Sequence, residues 1–144
     1  MLIALDFSAV LASWPLLVRG VVWTMGLTIV GTVLGLLLGT ACAWARARNL
    51  GHRPAALRWA VASYVELVRN TPFIVQLFFL FFGLPALGLK LSPEFASVLA
   101  MVINLGAYSA EIIRAGIEAT PRGQIEAAHS LALTPGQTFR RVVL

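Results

Sequence analysis

The stretch VVWTMGLTIVGTVLGLLLGTACAWA, Val21 to Ala45, carries no charged side chain. At 1.5 Å per residue a helix of that length covers about 37 Å, more than a hydrocarbon core of about 30 Å. The stretch therefore predicts a membrane-spanning helix over 21–45, and the whole composition agrees. Of the 144 residues 59% are hydrophobic and only 12% charged, with a mean hydropathy of +0.86, against about 25% charged residues in soluble domains. Gly31, Gly35 and Gly39 recur at intervals of four inside the stretch. They lie near one helix face, where a second backbone can approach closely; alternatively they reflect the general abundance of Gly in membrane helices.

Upstream, Met1 to Leu17 is apolar, but Asp6 interrupts it and no Lys or Arg precedes the apolar part as a cleavable signal requires. Residues 1–20 thus read as an outer surface segment, with Trp14 and Pro15 near the lipid interface. Downstream, Arg46, Arg48, Arg53 and Arg58 share a short loop with Asn49-Leu50-Gly51 and Pro54. By the positive-inside rule this loop faces the cytoplasm.

A second span is predicted over 59–82. Glu66 and Arg69 interrupt it three positions apart, close enough on a helix to form an intramembrane charge pair facing the bundle interior; the other reading has both snorkelling to the inner interface. Pro72 removes a backbone donor and should kink this helix, with Thr71 available to the freed carbonyl. The stretch from Gly83 to Glu94 turns the chain outside, and Ser92-Pro93 is a helix start, a capping hydroxyl before Pro at the first helical position. A third span follows over 95–113. Three spans put the N-terminus outside and the C-terminus inside. The inner stretches then hold Arg46, Arg48, Arg53, Arg58, Arg114, Arg122, Arg140 and Arg141, the outer ones only Arg19 and Lys90.

Within the third span Asn104, Tyr108 and Glu111 follow at intervals of four and three, a polar stripe on an apolar helix that should face protein or water. Glu111 also has Arg114 three residues on, a pairing that closes the inner end of the bundle or anchors the helix. Residues 118–144 are polar. Thr120-Pro121 and Thr134-Pro135 repeat the helix-start signal, and Gln137 completes a capping box with Thr134. Two short helices separated by a bend are expected, the first around Arg122 to Leu133. From periodicity alone they are an ordinary cytoplasmic helical hairpin.

The triplet Glu126-Ala127-Ala128, together with Tyr64 to Pro72, Gln76 to Phe79 and Asn104 to Gly116, resembles the permease subunits of ABC-type importers. More narrowly it is similar to their polar amino acid branch. The resemblance covers roughly residues 15 to 144. It implies an all-α polytopic membrane helix bundle, here of three spanning helices plus a cytoplasmic helical coupling segment. It further implies that Glu126, Ala127, Ala128 and Ala132 dock to a separate ABC ATPase subunit and that Asn104, Tyr108 and Glu111 line the path of a polar amino acid, with Glu111 able to meet a cationic group. The implied partners are that ATPase, a periplasmic or extracellular solute-binding protein, a second permease subunit (identical or sister) and the lipids of a bacterial inner membrane. Two features depart from the family pattern. Ala132 stands where the family has Gly at the bend, a position that costs an Ala side chain energy if φ is positive. The sequence also stops at Val143-Leu144, where relatives continue, so the competing expectation is a truncated, non-transporting fragment that inserts and docks.

Other classes find little support. A net charge of +5 is dispersed between apolar runs, not gathered into a nucleic-acid stripe. Cys42 is alone, and His52 and His129 lack companion ligands, so neither a disulfide nor a metal is expected. The nearest approach to a phosphate loop, Gly83 to Gly88 before Leu89-Lys90, breaks the motif. No catalytic set emerges, and ATP hydrolysis is expected in a separate subunit, with no cofactor in this one.

Overall fold

The computed structural model describes residues 7–46 and 54–143. Arg48, Asn49, Leu50, Gly51, His52 and Arg53 of the basic loop lie outside the described residues, as do residues 1–6 and Leu144. Among the described residues the secondary structure is entirely helical. A short α1 (Ser8–Ala12) leads into α2 (Trp14–Arg46), followed by α3 (Ala55–Arg69) and α4 (Phe73–Phe78), which runs through a π-helical turn into α5 (Leu84–Ala86). Then come the long α6 (Pro93–Glu118), α7 (Arg122–Ser130) and α8 (Pro135–Thr138) with a π-helical extension over Phe139–Val143. The length and apolarity of α2 and α6 suffice to cross a membrane, and the α3–α4/α5 pair makes a third, bent crossing if taken as one span.

The surface segment expected over 1–20 gives way, from Trp14, to the first spanning helix itself. Pro15 sits in the first turn, where its missing N–H has no helical acceptor to lose, and the apolar residues after it keep the helix going. The resulting 33 residues make about 50 Å of helix. Leu16, Val21, Met25, Ile29 and Leu37 point outward from it, a costly arrangement in water but a natural one against lipid.

The second span departs furthest from a single kinked helix over 59–82. Its two arms, Ala55–Arg69 and Phe73–Ala86, are bent by 105°. Pro72 is extended at φ −56° and ψ 138°, and Thr71 before it is pushed away from helical geometry by the ring. The break exposes carbonyls at the end of α3, and side chains take them up: the Thr71 hydroxyl donates to Leu67 O at 2.7 Å, and Gln76 Nε2 donates to Val68 O and Thr71 O at 2.8 Å each.

Helix α6 begins as expected, with the Ser92 hydroxyl accepting from Phe95 N and Pro93 at its first position, and continues five residues beyond 113 to Glu118. It packs along α2 through the glycine stripe. A Cβ at Gly31 would stand 3.0 Å from Met101 Cε, at Gly35 2.9 Å from Leu105 Cβ, and at Gly39 2.5 Å from Ser109 Cβ and 2.9 Å from Gly106 O. The two backbones therefore converge toward the C-terminal end of α2. Beside this seam Cys42, Val65, Val68, Ala107 and Ala110 form the buried core. The Tyr64 hydroxyl ties α3 to it by donating to Ile103 O at 2.6 Å.

Candidate functional site

A polar column runs down α6 on the side facing α3 and α4. At its upper level Asn104 Nδ2 donates to Gln76 Oε1 at 3.3 Å. Gln76 thereby joins three elements: its amide nitrogen caps α3, its own backbone belongs to α4, and its oxygen receives α6. One turn on, the guanidinium of Arg69 lies over the ring of Tyr108, 5.7 Å from the centroid, within cation–π range. At the lower level Glu111 collects three guanidinium groups. Arg46 Nη1 is 3.3 Å from Oε2, Arg69 Nη1 is 3.8 Å from Oε1, and Arg114 Nε donates to Oε2 at 3.0 Å while its Nη2 meets Oε1. Arg114 also grips Glu118.

This knot pins the C-terminal ends of α2 and α3 to the C-terminal third of α6. Its members are partly exposed, from 21% for Glu111 to 42% for Arg69, so each pair alone contributes little. Together they matter, because without the carboxylate three cations would face one another.

The column places several sequence-predicted residues and moves others. Asn104, Tyr108 and Glu111 do share one face. The Glu66–Arg69 pair, however, does not form among the described residues; Arg69 turns to Glu111 and Glu66 is exposed. The reason is angular: at about 100° per residue, Arg69 lies about 40° from the buried Val65 and Glu66 about 100° from it. Nor is Glu111 open to a cationic ligand, since arginines of this chain occupy both its oxygens. Arg46 and Gln76 were not singled out for the site. Arg46 directly follows the uncharged run, and Gln76 is the lone polar residue between Phe73 and Phe82, so each had a local signal.

The second candidate region is the C-terminal helical pair. Helix α7 stops at Ser130, three residues short of the expected Leu133. Leu133 N donates to Ala128 O and Ala132 N to His129 O, the paired bonds of a Schellman turn. Ala132 occupies its left-handed position at φ +55°, the strain anticipated for an Ala where the family carries Gly. The Thr134–Gln137 capping box is present with both bonds. Thr120, by contrast, does not cap α7; Pro121 holds the cap position and no side-chain bond is made. Within the triplet Glu126 and Ala127 are exposed, while Ala128 is 3% exposed on a helix that packs against the helical segments after it. Ala128 therefore serves the element's own packing, which corrects its assignment to a partner-facing surface.

Residues 35–144 match the family described as Binding-protein-dependent transport system inner membrane component. The chain is 41% identical over 131 residues to the permease protein of the L-cystine transport system of Bacillus subtilis, covering 91% of this chain and 54% of that protein. It is 36% identical over 141 residues to the arginine transport system permease of the same organism, covering 97% and 63%. To the glutamine transport system permease of Escherichia coli it is 33% identical over 143 residues, covering 96% and 63%. Among solved structures, a crystal structure of an amino acid ABC transporter with histidines superposes with a TM-score of 0.85 at 35% identity, covering 99% of this chain and 64% of that one. A methionine ABC transporter in inward-facing conformations gives a TM-score of 0.67 at 26% identity, with coverages of 92% and 63%. The chain thus spans between about half and two thirds of the length of these relatives.

Proposed function

Because this chain belongs to the binding-protein-dependent transport system inner membrane component family, we propose that it is a membrane-spanning subunit of an ATP-driven importer of polar amino acids. The relatives named for cystine, arginine and glutamine transport support that substrate class. The observation that carries the reading is the double use of α6. The polar column occupies its middle and lower half, and after only Ala119, Thr120 and Pro121 the chain enters α7, whose Glu126 and Ala127 are exposed.

In this reading Asn104, Gln76 and Tyr108 border the path, and the Glu111 knot closes its inner end. Helix α7 with its Schellman bend is the rigid piece held by a separate ATPase subunit in the cytoplasm. Glu126 supplies its anionic contact, Ala127 the close approach, and Ala132 the bend that fixes the angle to α8. Closure of the ATPase on ATP would move α7, and through the short link α6, shifting the bundle between outward-open and inward-open populations. A solute-binding protein delivers the amino acid from outside, a second permease subunit completes the path, and the N-terminus lies outside a bacterial inner membrane. The excess of Arg on the α7 side supports that orientation.

The docking step is tested by affinity capture of the cognate ATPase. Glu126→Arg should abolish capture while leaving membrane insertion intact, because insertion depends on α2 and α6. Unchanged capture by an inserted Glu126→Arg chain would refute the docking assignment.

A further inference from the structure

The uncharged run of α2 ends at Arg46, and just there a cleft of about 650 Å³ opens, lined by Arg46, Arg58, Trp59, Arg114 and Glu118. The end of an apolar run marks the membrane–water boundary, so the cleft lies at headgroup level. Three guanidinium groups face one lining carboxylate; even with Glu111 behind them included, the charge is +1 (three cations against two anions). The cations differ in their commitments. Arg114 is held by Glu111 and Glu118 and Arg46 uses one nitrogen on Glu111, whereas Arg58 forms no ion pair among the described residues. A guanidinium carries five donors, so Arg46 and Arg58 together leave several N–H groups without an anionic acceptor. Among the lining residues Trp59 is 74% exposed, an aromatic flank of the kind that anchors at bilayer interfaces.

We propose that this cleft binds a phosphate group, and specifically the phosphodiester headgroup of an anionic phospholipid whose acyl chains run along the exposed Trp59 flank. Arginine suits this ligand because its planar fork matches phosphate oxygens. The charge excess selects an anionic over a zwitterionic lipid, and the flank selects a lipid over a free anion. Gln76, Asn104 and Tyr108, which border the proposed path, do not line the cleft, so the cleft is separate from that path. This inference requires neither transport nor any partner, and its failure would leave the proposed function standing.

The test is native mass spectrometry of the purified chain, released from detergent and titrated with phosphatidylglycerol or phosphatidylcholine. Phosphatidylglycerol should be retained preferentially. Arg58→Gln should weaken its retention roughly fivefold, the order expected for one interfacial cation, Arg58→Lys should keep most of it, and Arg122→Gln in the exposed start of α7 should change nothing. Arg58 holds no described ion pair, so the Gln variant should fold, and retained helicity by circular dichroism checks this. Equal retention of the two lipids, or equal retention by Arg58→Gln and the parent chain, would overturn the proposal. Binding of inorganic phosphate with no preference for the lipid would overturn the lipid assignment.

Discussion

Replacing the glycines of α2 one at a time with Ala should reveal how closely that helix lies against α6. At Gly26 a Cβ meets nothing within 4 Å, so Gly26→Ala should add only the helix-propensity gain of about 1 kcal/mol. At Gly31 the nearest atom is the terminal Met101 Cε at 3.0 Å, which can swing aside, and the gain should roughly cancel the crowding. Gly35 meets Leu105 Cβ at 2.9 Å and its Cγ and Cδ2 at 3.0 Å, so a whole side chain must shift. Gly39 is different in kind. Its Cβ would lie 2.5 Å from Ser109 Cβ, 2.9 Å from Gly106 O and 3.0 Å from Ala110 N, and backbone atoms yield only if the helices part. Overpacking of this sort costs about 1–3 kcal/mol; taking the upper end and subtracting the propensity gain, Gly39→Ala should be destabilised by about 2 kcal/mol, roughly 30-fold in the folding equilibrium. Unfolding in mixed micelles with rising SDS fraction, followed by circular dichroism, ranks the four variants. The predicted order of stability is Gly26→Ala, Gly31→Ala, Gly35→Ala, Gly39→Ala. A Gly39→Ala chain as stable as Gly26→Ala would refute the close approach of the two backbones.

At the bend, Ala132→Gly should stabilise the C-terminal pair by about 0.5–1 kcal/mol, the relief of the left-handed penalty less the extra chain entropy of Gly. Hydrogen exchange at Leu133 N, whose bond to Ala128 O closes the turn, should slow about two- to fivefold, and faster exchange would contradict the assignment. In the knot, Glu111→Gln removes the group that Arg46, Arg69 and Arg114 share. Spin labels at Trp59→Cys and Ile112→Cys, both exposed while the native Cys42 is buried, should then report a longer and broader distance distribution; an unchanged one would show that the knot does not hold α3 to α6. Gln76→Leu should leave Val68 O without its side-chain donor and Asn104 without its acceptor. A destabilisation of about 1–3 kcal/mol in the SDS titration is expected, and parent-like stability would argue against the role of Gln76 at the break.

Features governed by short sequence separations were legible. The Gly31-Gly35-Gly39 spacing, the Ser92-Pro93 start, the Thr134–Gln137 box and the strained Ala132 each depend on a few neighbours and a helical period. What escaped depends on partners far along the chain. Nothing near Arg69 announces Glu111, 42 positions away, whereas Glu66 offered a plausible local partner; the identity of the buried face of α3 decided between them. Pro72 signalled an interruption, but not a 105° turn, whose extent rests on Gln76 and Thr71 taking up the freed carbonyls. Ala128 looked like a contact residue because small residues serve equally to admit a partner or to pack within an element, and only the fold of α8 against α7 separates the two uses. The polar column itself was half legible: the α6 side was visible as a stripe, while Gln76, Arg69 and Arg46 reach it from three other helices.

The central claim, an importer subunit coupled to a separate ATPase, is tested most directly by ATP hydrolysis in vesicles. The chain is co-reconstituted with its cognate ATPase and solute-binding protein, and hydrolysis is measured as polar amino acids are added. The account predicts hydrolysis that rises with the amino acid-loaded binding protein and returns to its unstimulated rate in Glu126→Arg. Hydrolysis indifferent to the amino acid, from a chain that has inserted and captured the ATPase, would contradict it.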